Sequence, residues 1–134
     1  MARHRVLLVE DHPDVAEATA ELMRLHGLDV SIAASGREAL RLAEELNPVL
    51  VLCDLWLPDM TGVDVARALR ARPGAKNLIV LISATSVDAL RDSESQTRAG
   101  RIDLFLSKPL TSANLTALCS QLDALRPSVD PRPV

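Results

Sequence analysis

The sequence predicts an α/β fold in which helices cover both faces of a parallel sheet. Strand-like and helix-like segments alternate along the 134 residues with short breaks between them, and this alternation is typical of parallel α/β architectures. Most strand candidates are continuous apolar runs, which suits parallel strands that are covered on both faces. Because crossovers between parallel strands are right-handed, the helices must lie on both sides. We therefore expect a doubly wound sheet of five βα units.

Five segments are predicted to be strands. Three of them are the continuous apolar runs at 5–9, 49–53 and 78–82. The segment 29–34 alternates apolar and polar residues, so we expect it at an edge of the sheet. The last segment, 102–107, is mixed in character.

The helices carry start and stop signals. Pro13 occupies a first helical position, and Gly27 follows the end of the same helix. Ser35 to Glu38 reads as a capping box that begins the second helix, and Asn47-Pro48 ends it. The remaining helices are predicted from 61–64 to about 73, within 86–99, and from about 112 to 125.

Composition limits the classes of function. The net charge of −3 argues against nucleic acid as a direct partner, and no apolar run approaches the ~20 residues that a membrane helix needs. The two cysteines, Cys53 and Cys119, form no disulfide framework, so we expect a reducing, cytoplasmic location. Residues 126–134 contain three prolines and are predicted to be a disordered tail or the start of a linker.

Polar side chains stand where four of the predicted strands end. Glu10 and Asp11 follow the first strand, Asp54 the third, Ser83 the fourth and Lys108 the fifth. Because the carboxyl ends of parallel strands meet at one edge, these side chains should converge where open α/β sheets bind ligands. Three carboxylates so close together would repel each other unless a cation lay among them. The pattern therefore predicts a metal site, and its hard oxygen ligands favour Mg²⁺.

These residues resemble the receiver domain of two-component response regulators. The resemblance covers residues 5–125, and it rests on motifs that occur in order at the strand ends. The motifs are Val6-Leu7-Leu8-Val9-Glu10-Asp11, Leu52-Cys53-Asp54-Leu55-Trp56-Leu57-Pro58 with Gly62, Ser83-Ala84, and Lys108-Pro109. The resemblance implies a receiver domain over residues 1–125 with the flavodoxin-like strand order 2-1-3-4-5.

For the acidic residues, the resemblance implies a phosphoryl-acceptor site. Asp54 would accept a phosphoryl group from a phosphohistidine donor and form an acyl phosphate. The cofactor would be Mg²⁺, held by Glu10, Asp11, Asp54 and the backbone carbonyl of Trp56. The metal would offset charge on the transferred phosphoryl oxygens.

The remaining polar residues are assigned to the switch by the same resemblance. Lys108 and Ser83 would each contact a phosphoryl oxygen, the lysine as a point charge. Phe105 matches the aromatic residue that turns inward when the hydroxyl of Ser83 moves toward the phosphoryl group. The bond between Lys108 and Pro109 is expected to be cis.

The function implied by the resemblance is a phosphorylation-activated signalling switch, whose only reactions would be self-phosphorylation from a donor and autodephosphorylation. Its partner would be a sensor histidine kinase or a phosphotransfer protein. A second copy of the chain is another candidate partner. It would form a homodimer through the face made by the helix within 86–99, the fifth strand and the last helix. Neither nucleic acid nor a membrane is expected to bind. The stretch between Ser83 and Lys108 is longer than in typical members, with Arg101 where a small residue is usual. This face is therefore expected to depart from the family.

Three other functions fit the residues less well. A phosphatase with an aspartyl-phosphate intermediate would carry a second acid two residues after Asp54, where this chain has Trp56. A flavodoxin-like cofactor protein would need a phosphate-binding loop after the first strand, and the acidic stretch 10–14 would repel a phosphate. A receiver-like module that no longer accepts phosphate is disfavoured because all the key groups are present. The histidines, His4, His12 and His26, have no metal-ligand spacing with the cysteines and are interpreted as ordinary residues. Tuning of the site by His12, which follows the acidic pair, is the less favoured alternative.

Overall fold

A computed structural model describes residues 4–72, 77–84 and 102–125. Within these ranges five parallel strands form one sheet in the order β2-β1-β3-β4-β5. The strands are β1 (Arg5–Val9), β2 (Asp29–Ala33), β3 (Leu50–Asp54), β4 (Leu78–Ser83) and β5 (Leu104–Ser107), and the helices are α1 (Pro13–Leu25), α2 (Gly36–Leu46), α3 (Gly62–Arg70) and α4 (Ser112–Leu125). The predicted fold class and strand order are confirmed. The helix predicted within 86–99 and the tail at 126–134 lie outside the described residues.

The sheet is covered on both faces, as the continuous apolar runs predicted. Val6 and Leu8 of β1 belong to a core cluster that includes residues of α1 and α4. Leu7 and Val9 belong to the opposite cluster, which includes residues of α2 and α3. All four side chains are fully buried, because successive residues of a strand point to opposite faces and each face has its own helical layer.

The two edges of the described sheet explain the two weaker strand predictions. β2 lies at one edge, and its alternating pattern reflects that position, so the edge assignment of the segment 29–34 is confirmed. β5 lies at the other edge and is only partly buried, which accounts for its mixed composition. None of the helices in the described part of the chain combines the length and apolar character needed to cross a bilayer.

The helix ends follow most of the predicted signals. Pro13 begins α1, and Gly27, with φ +85°, donates its N–H to the Arg24 carbonyl at 2.9 Å. Ser35 Oγ accepts the N–H of Glu38 at 3.1 Å, which is the first half of the capping box predicted there. The reciprocal capping box forms instead at the start of α3, between Thr61 and Asp64.

The end of α3 departs from the prediction. The helix ends at Arg70, before the predicted end near residue 73. The guanidinium of Arg70 donates to the Asn77 carbonyl at 2.6 Å and to Oδ2 of Asp103 at 2.7 Å. Asp103 Oδ2 also accepts the N–H of Ile79 at 2.7 Å. These contacts join the end of α3 to the beginning of β4 and the segment before β5.

Candidate functional site

Backbone hydrogen bonds between neighbouring strands continue for one residue beyond the ends of β1 and β5, and they bring the site residues together. The N–H of Glu10 donates to Ala33 O at 3.0 Å, and the N–H of Lys108 donates to Ser83 O at 2.9 Å. Asp54 is the last residue of β3 and is paired in register with Ile82 of β4. Glu10, Asp54 and Lys108 therefore meet at the carboxyl edge of the sheet, as the sequence predicted.

The acidic residues form one compact cluster. Ligand atoms of Glu10, Asp11, His12 and Asp54 all lie within 4.8 Å of one another. Glu10 is 2% exposed and Asp54 is 6% exposed, so both carboxylates are largely removed from water. Burial of a carboxylate is unfavourable unless hydrogen bonds or opposite charges compensate for the lost solvation.

Lys108 supplies part of this compensation. Its ammonium donates to Glu10 Oε1 at 2.5 Å and to Asp54 Oδ2 at 3.0 Å. The sequence predicted a contact between Lys108 and a phosphoryl oxygen, and it did not indicate that the lysine bridges these two carboxylates. Three carboxylates and one ammonium leave two net negative charges in the cluster when His12 is neutral, and a divalent cation would neutralise them.

The pKa values in the cluster shift in different directions. Burial opposes ionisation of Glu10, but hydrogen bonds from Lys108 and His12 outweigh it and lower its pKa. Burial raises the pKa of Asp54, and the charge of Glu10 adds to this effect, despite the contact with Lys108. Burial disfavours the Lys108 ammonium, but its two carboxylate partners outweigh burial and raise its pKa. Asp54 is therefore the acid with the less favourable environment for its charge.

Asp11 provides the structural test of whether a cation fits. Among the buried side-chain atoms of the described residues, Asp11 Oδ1 lacks a hydrogen-bond partner. The ring of His12 lies 3.4 Å from this oxygen, an ion-pair distance that carries charge only if the ring is protonated. Buried polar atoms are normally satisfied. Carboxylate oxygens are ligands that suit Mg²⁺, and here an unsatisfied one lies beside two other acids, so the residues fit the predicted metal.

His12 was not assigned to the site by the sequence reasoning. Its Nδ1 lies 3.1 Å from Glu10 Oε2, and its backbone N–H donates to the same oxygen at 3.2 Å. The hydrogen bond with Glu10, together with the charge of Asp11, raises the pKa of His12. The sequence signal was present, because His12 directly follows the acidic pair, but a local sequence does not show which way a side chain turns.

The loop from β3 to α3 carries Trp56, whose backbone carbonyl the resemblance assigned to the metal. The Trp56 N–H donates to Asp54 Oδ1 at 3.4 Å, and Trp56 is 62% exposed. Gly62 closes this loop by donating its N–H to Leu55 O at 2.7 Å. A Cβ on Gly62 would lie 2.7 Å from the backbone oxygen of Asp54, so only glycine fits this close approach to the end of β3.

The predicted switch residues lie on β4 and β5. Ser83 ends β4 and is 1% exposed, and it is paired in register with Ser107. Phe105 is partly buried and packs against the core cluster shared with α2 and α3. The peptide bond between Lys108 and Pro109 is cis, which confirms that expectation.

The buried acidic cluster and Lys108 lie at the carboxyl edge of a doubly wound sheet, which is where open α/β domains bind their ligands. The sequence model of the response regulator receiver domain matches residues 6–120. The chain belongs to this family, the receiver domains of two-component response regulators.

Comparison with known proteins agrees with this assignment. The chain is 36% identical over 115 residues to the DNA-binding response regulator MtrA of Mycolicibacterium smegmatis, covering 86% of this chain and 48% of the relative. It is 40% identical over 113 residues to the transcriptional regulatory protein PrrA of Mycobacterium leprae, covering 84% and 47%. The chain therefore spans about half the length of the curated relatives it matches.

Solved structures show the same fold. A CheY-like receiver domain from Methylobacillus flagellatus superposes with a TM-score of 0.78 at 27% identity, covering 90% of this chain and 99% of that one. A sensor protein from Polaromonas sp. JS666 superposes with a TM-score of 0.81 at 28% identity, covering 92% and 98%. The fold and the family thus agree with the resemblance found in the motifs.

Proposed function

We propose that this domain is a phosphorylation-activated switch in which Asp54 accepts a phosphoryl group in the presence of Mg²⁺. The observation that carries the proposal is the burial of Asp54 within 4.8 Å of two other acids, together with its contact to Lys108 at 3.0 Å. Glu10, Asp11, Asp54 and the Trp56 carbonyl would hold the metal. When bound, Mg²⁺ would supply positive charge that offsets the charge on the phosphoryl oxygens.

The transfer step needs one nucleophile, and the donor leaves as neutral imidazole when the other nitrogen of its ring carries a proton. A carboxylate oxygen of Asp54 attacks the phosphorus of a phosphohistidine, a new P–O bond forms, and the P–N bond breaks. The imidazole nitrogen of the donor keeps the electron pair of the broken bond. Burial of Asp54 strips water from the attacking oxygen, and the buried site raises the strength of the surrounding charges.

Lys108 would change partners during this step. Its ammonium is shared between Glu10 and Asp54 at 2.5 Å and 3.0 Å before transfer. The phosphoryl group adds negative charge on the Asp54 side, so Lys108 would contact a phosphoryl oxygen as a compact point charge. Ser83, buried at the end of the neighbouring strand, would donate its hydroxyl to another oxygen.

The switch would then follow from contacts that differ between the two states. Movement of the Ser83 side chain toward the phosphoryl group would open space beside β4. Phe105, paired in register with Leu81 of β4, would turn inward and alter the surface near β5. We infer that this surface controls a partner, an output domain or a second copy of the chain, and that a histidine kinase or phosphotransfer protein in the cytoplasm is the donor. Beyond phosphorylation and autodephosphorylation of Asp54, no enzymatic activity is proposed.

Labelling with acetyl phosphate tests the acceptor. With Mg²⁺, the wild type should gain one phosphoryl group that hydroxylamine removes, because acyl phosphates are cleaved by this nucleophile. Asp54→Asn should lose the labelling, since the amide is a poor nucleophile and a poor ligand for a hard metal. Asp29→Asn is the matched control, because Asp29 is exposed at the opposite end of the sheet, where β2 begins. Equal labelling of Asp54→Asn and the wild type would refute the assignment.

Amide NMR with beryllofluoride, a mimic of the phosphoryl group, tests the switch. In the wild type, chemical shifts should change from Asp54 out to residues 84–90 and 102–112. Ser83→Ala should still bind the mimic and should lose the distant changes. If the same distant shifts occur in Ser83→Ala, Ser83 and Phe105 do not transmit the signal.

A further inference from the structure

The loop between β3 and α3 is anchored to a different part of the fold through Asp59. The Asp59 carboxylate accepts the N–H of Gly36 through Oδ1 and the N–H of Arg37 through Oδ2, each at 2.9 Å. These two residues begin α2. The first N–H groups of a helix have no partner within the helix, so Asp59 supplies partners from another loop. The two backbone hydrogen bonds lower the pKa of Asp59, as expected for a carboxylate that accepts them in its charged form.

A second contact at the same place is independent of these hydrogen bonds. A Cβ built on Gly36 would lie 2.3 Å from Cγ and 2.6 Å from Sδ of Met60. Gly36 therefore leaves room for the Met60 side chain directly against the backbone of α2. Two successive loop residues therefore contact Gly36, the first residue of α2: Asp59 through a hydrogen bond and Met60 through packing. We call these three residues, Gly36, Asp59 and Met60, the clasp.

The clasp holds a loop that is internally connected. Leu57 donates its N–H to Met60 O at 3.2 Å, and Trp56 forms a β-bridge with Thr61. At the base of the loop, Gly62 donates to Leu55 O at 2.7 Å. The backbone of Trp56 thus belongs to a small bonded unit, and Asp59 fixes the outer end of this unit on α2.

We propose that Asp59 is a positioning residue for the metal centre, because its bonds to the start of α2 fix the loop that carries the Trp56 backbone. The inference rests on the proposed function, in which the Trp56 carbonyl is a metal ligand. Residues that orient a ligand from outside the coordination sphere commonly change metal affinity by about 10- to 100-fold when replaced. Loss of the Asp59 carboxylate should therefore weaken Mg²⁺ binding although Asp59 is not one of the four residues of the acidic cluster.

Ser35→Ala provides a matched control. Ser35 Oγ caps the same end of α2 by accepting the Glu38 N–H at 3.1 Å, and that hydrogen bond does not involve the loop. Asp59→Ala and Ser35→Ala both remove a hydrogen-bond acceptor that caps the beginning of α2. Only Asp59→Ala also releases the loop. Asp59→Asn is the conservative variant, since its single carbonyl oxygen can accept one of the two N–H groups.

The first measurement is amide hydrogen exchange without metal. Asp59→Ala should speed exchange at Leu57 and Gly62 by about tenfold relative to Ser35→Ala, because their hydrogen bonds depend on the closed loop. The second measurement is the Mg²⁺ dissociation constant by titration calorimetry. We expect a rise of about tenfold in Asp59→Ala, a smaller rise in Asp59→Asn, and the wild-type value in Ser35→Ala.

The possible outcomes distinguish a failure of this inference from a failure of the proposed function on which it rests. If Asp59→Ala matches Ser35→Ala in loop exchange and in Mg²⁺ affinity, Asp59 is only a helix cap and the inference is overturned. If the wild type binds Mg²⁺ but Asp59→Ala binds it equally well, the inference alone fails. If the wild type binds no Mg²⁺, the proposed function fails together with the inference.

Discussion

Replacement of Lys108 by methionine isolates the electrostatic role of its ammonium. The ammonium is shared by Glu10 and Asp54 at 2.5 Å and 3.0 Å, and the side chain of Glu10 is only 1% exposed. Methionine retains an apolar stem, so packing is largely preserved while the charge is lost. In Mg²⁺-free buffer, Lys108→Met should leave two buried carboxylates without their cation.

The expected loss of stability follows from the geometry. Removal of one partner from a buried ion pair costs about 3–5 kcal/mol. The Lys108 side chain is 20% exposed, and protonation of Asp54, whose pKa burial already raises, would relieve part of the repulsion. We therefore expect a decrease of about 2–3 kcal/mol in the free energy of unfolding, which lowers the Tm of a domain of this size by about 10 °C.

Urea denaturation with and without Mg²⁺ measures the effect. In Lys108→Met the carboxylates of Glu10 and Asp54 lack the positive charge of the lysine, and Mg²⁺ supplies two positive charges in its place. Millimolar Mg²⁺ should therefore stabilise Lys108→Met more than the wild type and reduce the difference in the free energy of unfolding between the two proteins. Arg41→Met is the control, because the Arg41–Glu45 pair at 3.4 Å is exposed and should contribute less than about 0.5 kcal/mol. This account of the cluster would be refuted if Lys108→Met were as stable as the wild type without metal. It would also be refuted if Mg²⁺ left the difference in the free energy of unfolding unchanged.

Three further substitutions test the support of the site and the core. Gly62→Ala would place a Cβ 2.7 Å from the backbone oxygen of Asp54, so it should destabilise the domain by about 1–3 kcal/mol and slow labelling by acetyl phosphate, whereas a simple helix-propensity effect would stabilise it. Leu118→Ala, at a position 1% exposed in α4, should lower the free energy of unfolding by about 2–5 kcal/mol without abolishing labelling. Thr61→Ala removes the hydroxyl that accepts the Asp64 N–H at 3.1 Å. Urea denaturation should therefore show that the free energy of unfolding falls by about 1 kcal/mol.

The fold class was determined by local sequence patterns. Continuous apolar runs at β1, β3 and β4 require cover on both faces, and the structure provides it with two helical layers. The convergence of Glu10, Asp54 and Lys108 was also predictable, because parallel strands bring their carboxyl ends to one edge. The family could also be predicted from the sequence, because the order and spacing of the motifs match the receiver domain.

Side-chain contacts between distant segments were decided only by the tertiary structure. Lys108 lies 98 positions from Glu10, and Asp59 lies 23 positions from Gly36; no local pattern links such residues. His12 is close to Glu10 in the sequence, but its contact depends on a rotamer chosen by the packed site. Hydrophobic periodicity specifies which face of a strand or helix is buried. It does not specify which atoms of the converging polar groups bond to each other, because that is set by how the elements are packed together.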